Sequence, residues 1–282
     1  MKGFLLHFAK RYIAGTEAAD AVSVAKELNS RGIFAAIDNL GENVKVQAEA
    51  SEAVSEYIKL LGEIKKAKVD STVSLKLTQM GLDISEELAE KNAEKVIRKA
   101  AALNNSVRLD MESSAYTDRT ISVFLKLHKK YPATGIAIQS ALKRSASDID
   151  ALIKEGASVR LVKGAYKESA DIAFEDKADV DKNYEKLMKE LLLKGINPAI
   201  ATHDERIIEE AIRFSEKHRI GKDAFTFEML LGIKRTLQSR LASDGFNVRV
   251  YVPYGKNWLA YTLRRLRERK ENIYFVVKNI FD

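Results

Sequence analysis

Cysteine is absent from the 282 residues, which excludes disulfides, thiolate nucleophiles and Cys-ligated zinc. Its absence agrees with a chain kept in the reducing cytosol. Histidine is scarce: the four are His7, His128, His203 and His218, with no H-x-x-x-H pair, so no metal site is expected. Proline occurs only as Pro132, Pro198 and Pro253, none inside a helical pattern. No apolar run approaches the roughly 20 residues of a membrane-spanning helix. The apolar patch at residues 4–8 is too short for the core of a secretion signal, and no small-residue cleavage pattern follows it. A cytoplasmic protein is expected. No low-complexity linker divides the chain, so the expectation is a single domain over residues 1–282.

What is present is a soluble globular composition, 46% hydrophobic and 31% charged. The net charge is +7, but the 47 basic residues are interleaved with 40 acidic ones along helical stretches. That is the pattern of solvated helix faces, and no nucleic-acid partner is expected. The basic surplus would suit peripheral rest on an anionic bilayer.

Eight short apolar, β-branched segments recur, at residues 33–38, 72–76, 107–111, 135–139, 157–162, 197–202, 224–229 and 247–252. Helix-period stretches lie between them, at 51–65, 85–103, 118–130, 146–155, 180–193, 205–218 and 229–244. Gly32, Gly156, Gly195 and Gly221 stand where helix C-caps are expected. Residues 16–31 read as an extra leading helix, with Thr16 as N-cap and Ala21, Ala25 and Leu28 on one face. Strands alternating with helices imply a parallel sheet buried on both faces. The count and length of the units predict an α/β fold of the (βα)8 TIM-barrel type. A doubly wound sheet is the alternative, but only Leu40-Gly41-Glu42 follows the first strand, where a dinucleotide fold would carry G-x-G-x-x-G.

Barrel enzymes place their working residues at the carboxyl ends of the strands. Those ends read Asp38 with Glu42, Lys76, Asp110, Gln139, Arg160 with Lys163, Thr202 with His203, Glu228, and Tyr251. Lys76, Asp110 and Arg160 lie within apolar runs, and buried charges must meet opposite charges or an ionic ligand. A purely structural ion-pair layer at the barrel mouth would satisfy the same rule.

The segment from Tyr251 to Glu268 adds a second pattern. On a helix at ~100° per residue, Trp258, Tyr261, Arg264, Arg265 and Glu268 share an arc of about 120°. Leu259, Leu263 and Leu266 occupy a separate, anchoring arc. An aromatic beside two adjacent guanidinium groups suits a small carboxylate with an apolar body. An amphipathic helix with its charged arc in water would show the same spacing.

The motif Tyr251-x-Pro253-Tyr254-Gly255-x-x-Trp258-x-x-Tyr261-x-x-Arg264-Arg265-x-x-Glu268 resembles the C-terminal signature of the proline dehydrogenase family. Further similar blocks follow in order: Leu40-Gly41-Glu42, Ser74-Leu75-Lys76-Leu77, Arg108-Leu109-Asp110-Met111-Glu112, Arg160-Leu161-Val162-Lys163-Gly164-Ala165-Tyr166 and Ala201-Thr202-His203. The resemblance runs from about residue 12 to the C-terminus and fits the single-function bacterial enzymes. It implies FAD as cofactor, L-proline as substrate and a quinone as electron acceptor.

The resemblance also implies site roles. Lys76, Arg264 and Arg265 would bind the proline carboxylate, and Tyr166, Leu230, Tyr251 and Tyr261 would enclose its ring. Asp110 would order Lys76 and Tyr251, and Glu42 would pair with Arg264 as a gate. Arg160 would lie near flavin N5 and Gln139 would hydrogen-bond the ring. Met111, Val162, Lys163, Gly164, Ala165, Tyr184, Thr202, His203, Asp204, Glu228 and Glu268 would lie along the rest of FAD. A tyrosine at position 251 argues for proline over hydroxyproline. The chain departs from the family's pattern at Glu228, often glutamine and expected toward the adenine or ribose end, at Asp204, often asparagine, and at Lys167. The first two would add negative charge beside the cofactor.

Two other readings stay open on the residues alone. One is a class I aldolase using Lys76 or Lys163 as Schiff-base former. The other is a non-catalytic barrel that binds an amino acid.

Overall fold

The computed structural model describes residues 11–267, and in it the eight apolar runs pair in parallel, each with the next. The strands are β1 (Phe34–Asn39), β2 (Ser71–Leu75), β3 (Val107–Leu109), β4 (Gly135–Gln139), β5 (Ser158–Val162), β6 (Ala199–Ala201), β7 (Thr226–Leu230) and β8 (Asn247–Tyr254). β8 returns to β1 along a seam from Phe34↔Arg249 to Asn39↔Tyr254, which closes the barrel.

A leading helix α1 (Ala18–Asn29) precedes β1, and a helix follows each strand. These are α2 (Gln47–Ala67), α3 (Glu86–Ala102), α4 (Ser114–Lys130), α5 (Ser145–Lys154), α6 (Lys177–Lys194), α7 (Glu205–Lys217), α8 (Arg235–Ser243) and α9 (Trp258–Arg267). The expected (βα)8 barrel is the fold. The main core lies between the helices and the outer face of the sheet. In α2, Ala50, Ala53, Val54, Tyr57, Leu60, Leu61 and Ile64 are buried at helical spacing. Each fully buried Leu or Ile of this layer stabilises the fold by about 2 kcal/mol.

The departures from the sequence pattern have local causes. The N-cap of α1 is Glu17, not Thr16, because the Asp20 carboxylate accepts both the Glu17 and Thr16 amides, at 3.0 and 3.1 Å. The helix expected from residue 229 starts only at Arg235, since Leu230 still pairs with Tyr251 in the sheet. β8 runs past Val252: Pro253 has no amide to donate, but its carbonyl accepts from Ala14 N at 2.9 Å. Gly32 and Gly156 end their helices in left-handed backbone, whereas Gly195 is extended and Arg219, not Gly221, turns the chain after α7.

Candidate active site

The carboxyl ends of the strands open into a cavity of about 1000 Å3. Its wall mixes apolar groups (Leu40, Met111, Ala137, Val162, Met229, Leu230, Leu259) with charged ones (Asp38, Glu42, Lys76, Asp110, Arg160, Lys163). Most of the residues singled out in the sequence meet here. Gln139, Gly164, Ala165, Tyr166, Thr202, His203, Asp204, Glu228, Tyr251 and Tyr261 line the same space.

The interior is organised around Arg160, which is only 4% exposed. Its partners come from strands that are not neighbours of β5, so the bonds cross the barrel. Nη1 donates to Asp110 Oδ1 at 2.7 Å and Nη2 to Ser74 Oγ at 3.1 Å, while Nε donates to Glu228 Oε2. The guanidinium carbon also stands 5.5 Å from the Tyr251 ring centroid, a cation–π contact. Each carboxylate here is charge-assisted and geometrically tied, the condition under which buried ions persist.

Beside Arg160, Lys76 Nζ lies 3.0 Å from Asp38 Oδ2 and 3.5 Å from Asp110 Oδ2. Tyr251 donates its hydroxyl to the same Asp110 Oδ2 at 2.6 Å. Burial disfavours the charged form of Lys76, but Asp38 and Asp110 outweigh it and hold its pKa above the ordinary lysine value. Burial also raises Asp38, so the pair is pulled in opposite senses. One ammonium facing two carboxylates stays charged. Burial, then the Asp110 charge, raises the Tyr251 phenol well above its usual value, so it is a neutral donor.

Asp38, read in the sequence as a strand-end residue but given no role, is therefore central. Its second oxygen lies 3.2 Å from the hydroxyl of Tyr57, which reaches in from α2. Glu112 was missed as well: Thr78 N and Oγ1 donate to its two carboxylate oxygens at 3.2 and 2.5 Å, and Gln139 Nε2 donates to its backbone carbonyl at 2.8 Å. Burial pushes Glu112 up to about 7 against the pull of the Thr78 bonds and Lys76. Asp38 was legible as the charge closing the apolar run of β1, though the resemblance gave it no role. Arg108 and Arg249 sit at strand starts, a place the strand-end search leaves out.

Across the cavity the chemistry changes. Lys163 bridges Asp181 Oδ1 at 2.5 Å and Asp204 Oδ2 at 3.0 Å. Arg206, 76% exposed at its side chain, adds a bond to Asp204 Oδ2 at 3.1 Å. Although burial opposes it, bonds from Arg206 and Lys163 hold Asp204 well below the usual carboxylate range. Leu230 N donates to His203 Nε2 at 2.9 Å, which makes that nitrogen an acceptor.

Three expectations need correction. Glu228 does not carry an unbalanced charge: it is 3% exposed inside the barrel, against Arg160 and, at 3.5 Å, Arg249. Asp204 likewise has its charge matched by Lys163 and Arg206. Tyr184 does not reach the cavity: it is fully buried, with its hydroxyl on the Leu161 carbonyl at 3.0 Å. The side chains of Arg264 and Arg265, and Glu268 entirely, lie outside the described residues.

A closed parallel barrel with a charged cavity over its strand ends defines the molecule as an α/β-barrel enzyme. The family model described as proline dehydrogenase matches residues 21–278, and the chain belongs to the proline dehydrogenase family. It is 39% identical over 272 residues to proline dehydrogenase 2 of Bacillus subtilis, covering 96% of this chain and 90% of that one. With the proline dehydrogenase of Deinococcus radiodurans it shares 40% identity over 279 residues, 97% of this chain and 90% of the relative. A solved structure of proline utilization A from Bdellovibrio bacteriovorus, inactivated by N-propargylglycine, superposes with a TM-score of 0.87 at 28% identity. That match covers 94% of this chain and 33% of the solved one, so the chain spans about a third of that larger protein.

Proposed function

We propose that the chain is a flavoenzyme that oxidises L-proline to Δ1-pyrroline-5-carboxylate, the first step of proline breakdown, and passes the electrons to a quinone. The observation that carries this reading is the cation Lys76, fixed between Asp38 and Asp110 beside the donor Tyr251 at the floor of an otherwise largely apolar cavity. A small acid with an apolar ring needs such a site. Lys76 supplies one cation for the carboxylate. Arg264 and Arg265 follow Tyr261 by three and four positions in α9 and supply the others. Tyr166, Leu230, Tyr251 and Tyr261 would enclose the ring, and Glu42 would serve as the gate over it.

The cavity suits FAD in size and chemistry. Its volume, about 1000 Å3, is in the range of large ligand pockets. Gly164 has φ +116°, and a side chain there would press on Gln139 and Ala141, so glycine keeps the backbone open to close approach. Gln139, Arg160, Met111, Val162, Ala165, Thr202 and His203 would hold the flavin and ribityl parts. Lys163, with Asp204 beside it and Glu268 further along, would meet the diphosphate and ribose. Held by these residues, FAD would supply the hydride-accepting chemistry for the substrate's C5, the hard step being the cofactor's own. The protein contributes alignment and a dry, closed pocket.

Two carboxylates on Lys76 also weigh against the Schiff-base alternative, since an aldolase lysine must react as the neutral amine. Lys163 is paired with Asp181 and Asp204. Among the described residues no helix is long and apolar enough to cross a membrane. Delivery of electrons to a membrane quinone would then rest on peripheral contact from the cytoplasmic side, which the net charge of +7 favours. The test is a spectrum. The purified protein is expected to absorb near ~450 nm as flavoproteins do, and proline is expected to bleach that band without oxygen. A colourless protein that cannot be reconstituted with FAD overturns the reading.

A further inference from the structure

The barrel floor carries more positive charge than its ligand-facing residues need. Arg108, Arg160 and Arg249 converge there with Glu228. Among the described residues Arg108 itself donates only to the neutral Ser158, to its carbonyl at 3.3 Å and its hydroxyl at 3.2 Å. Burial first, with repulsion from Arg160 and Arg249 and against the pull of Glu228, pushes Arg108 down to about 9. Asp110 is already divided among Arg160, Lys76 and Tyr251. Glu228 is thus the carboxylate that balances the floor. Burial opposes its ionisation, yet Arg160, Arg108 and Arg249 hold it down at about 2, so its charge is constant at any working pH.

We infer that Glu228 is a positioning residue that sets how much positive charge Arg160 presents to the cavity, and thereby the reduction potential of the flavin bound there, with Arg249 acting on the same carboxylate in the opposite sense. The inference rests on the flavin reading proposed above. Reduction places negative charge on the cofactor, and a nearby cation favours that state. In a water-excluded interior a charge removed from Glu228 or Arg249 is poorly screened, so it is felt in the cavity that Glu228 and Arg160 both line. Glu228→Gln keeps an acceptor for Arg160 Nε while removing the negative charge, so Arg160 acts as the stronger cation. Arg249→Met leaves Glu228 with one cation fewer, so Arg160 is more fully neutralised.

The experiment measures the midpoint potential of the bound flavin, by anaerobic reduction against a reference dye, in the unsubstituted protein and both variants. Glu228→Gln is expected to raise the ratio of reduced to oxidised flavin at fixed potential about tenfold, equivalent to roughly +30 mV for a two-electron couple. Arg249→Met is expected to lower the same ratio by about threefold. Mere structural damage gives no reason for shifts of opposite sign. Equal potentials in all three proteins, or shifts in one direction, overturn the inference. If Glu228→Gln retains no flavin, Arg249→Met decides alone: a lower potential supports the assignment and an unchanged one overturns it. An unsubstituted protein without flavin removes the functional reading itself, and this inference with it.

Discussion

Two sides of the cavity hold ion-pair networks of similar composition and opposite character. At β1, β2, β3 and β8, Asp38, Lys76, Asp110 and Tyr251 form a dry network in which the Asp38 and Lys76 side chains are 1% and 12% exposed. At β5 and β6, Lys163 is 25% exposed and its partner Asp204 is shared with Arg206, 76% exposed. Water reaches the second network through Arg206 and Lys163 and weakens its pairs, whereas the first must be complete or fail. The dry side can hold a charged group at a fixed position for chemistry. The wet side can accommodate a long, charged cofactor arm and adapt to it.

The contrast is broken most directly at Lys76. Lys76→Met leaves Asp38 and Asp110 without their shared cation, and loss of one partner from a buried pair costs about 3–5 kcal/mol. Thermal unfolding should show the midpoint lowered by roughly 10 °C. A change of only a degree or two would mean that the network is no drier than its counterpart.

The next effect is on pH dependence. Glu112, at about 7 in the folded chain against an ordinary 4.5, holds its proton longer when folded. The folded state therefore binds more protons between those values, and stability is full below about 4.5 and declines as pH rises through 7. The total change is on the order of 3 kcal/mol. Glu112→Gln should flatten the stability profile in that window, as read by denaturant unfolding at several pH values. An unchanged slope would place the titration elsewhere.

Tyr251→Phe comes third. It removes one hydrogen bond to a carboxylate and keeps the ring over Arg160, so a loss of about 2 kcal/mol is expected in denaturant unfolding. The smallest effect belongs to the wet side: Lys163→Met should change stability by less than about 1 kcal/mol. A loss as large as that of Lys76→Met would erase the distinction between the two networks.

Much of this layout was legible in the residues. Apolar runs that end in Lys76, Asp110, Gln139, Arg160 and Tyr251 announced both the barrel and the end at which it opens, because a buried sheet tolerates charges only where its strands emerge. What stayed hidden depends on contacts across the barrel. Nothing local tells that Arg160 reaches β2, β3 and β7 at once, or that Glu228 turns inward to Arg249. Glu112 differs from a surface glutamate only through Thr78, which a separate loop delivers. Tyr184 failed for the converse reason: its place in an amphipathic helix was compatible with the cavity, but burial against Leu161 takes it into the layer between sheet and helix.

On the proposed function, Lys76 is a fixed cation for a carboxylate and not a reactive amine. Anaerobic titration of the bound flavin with L-proline and with prolinamide, which keeps the ring and lacks the acid, tests it. Half-reduction should need at least ~100-fold more prolinamide than proline, since a buried charge pair is lost. Equal potency of the two compounds would contradict the role assigned to Lys76.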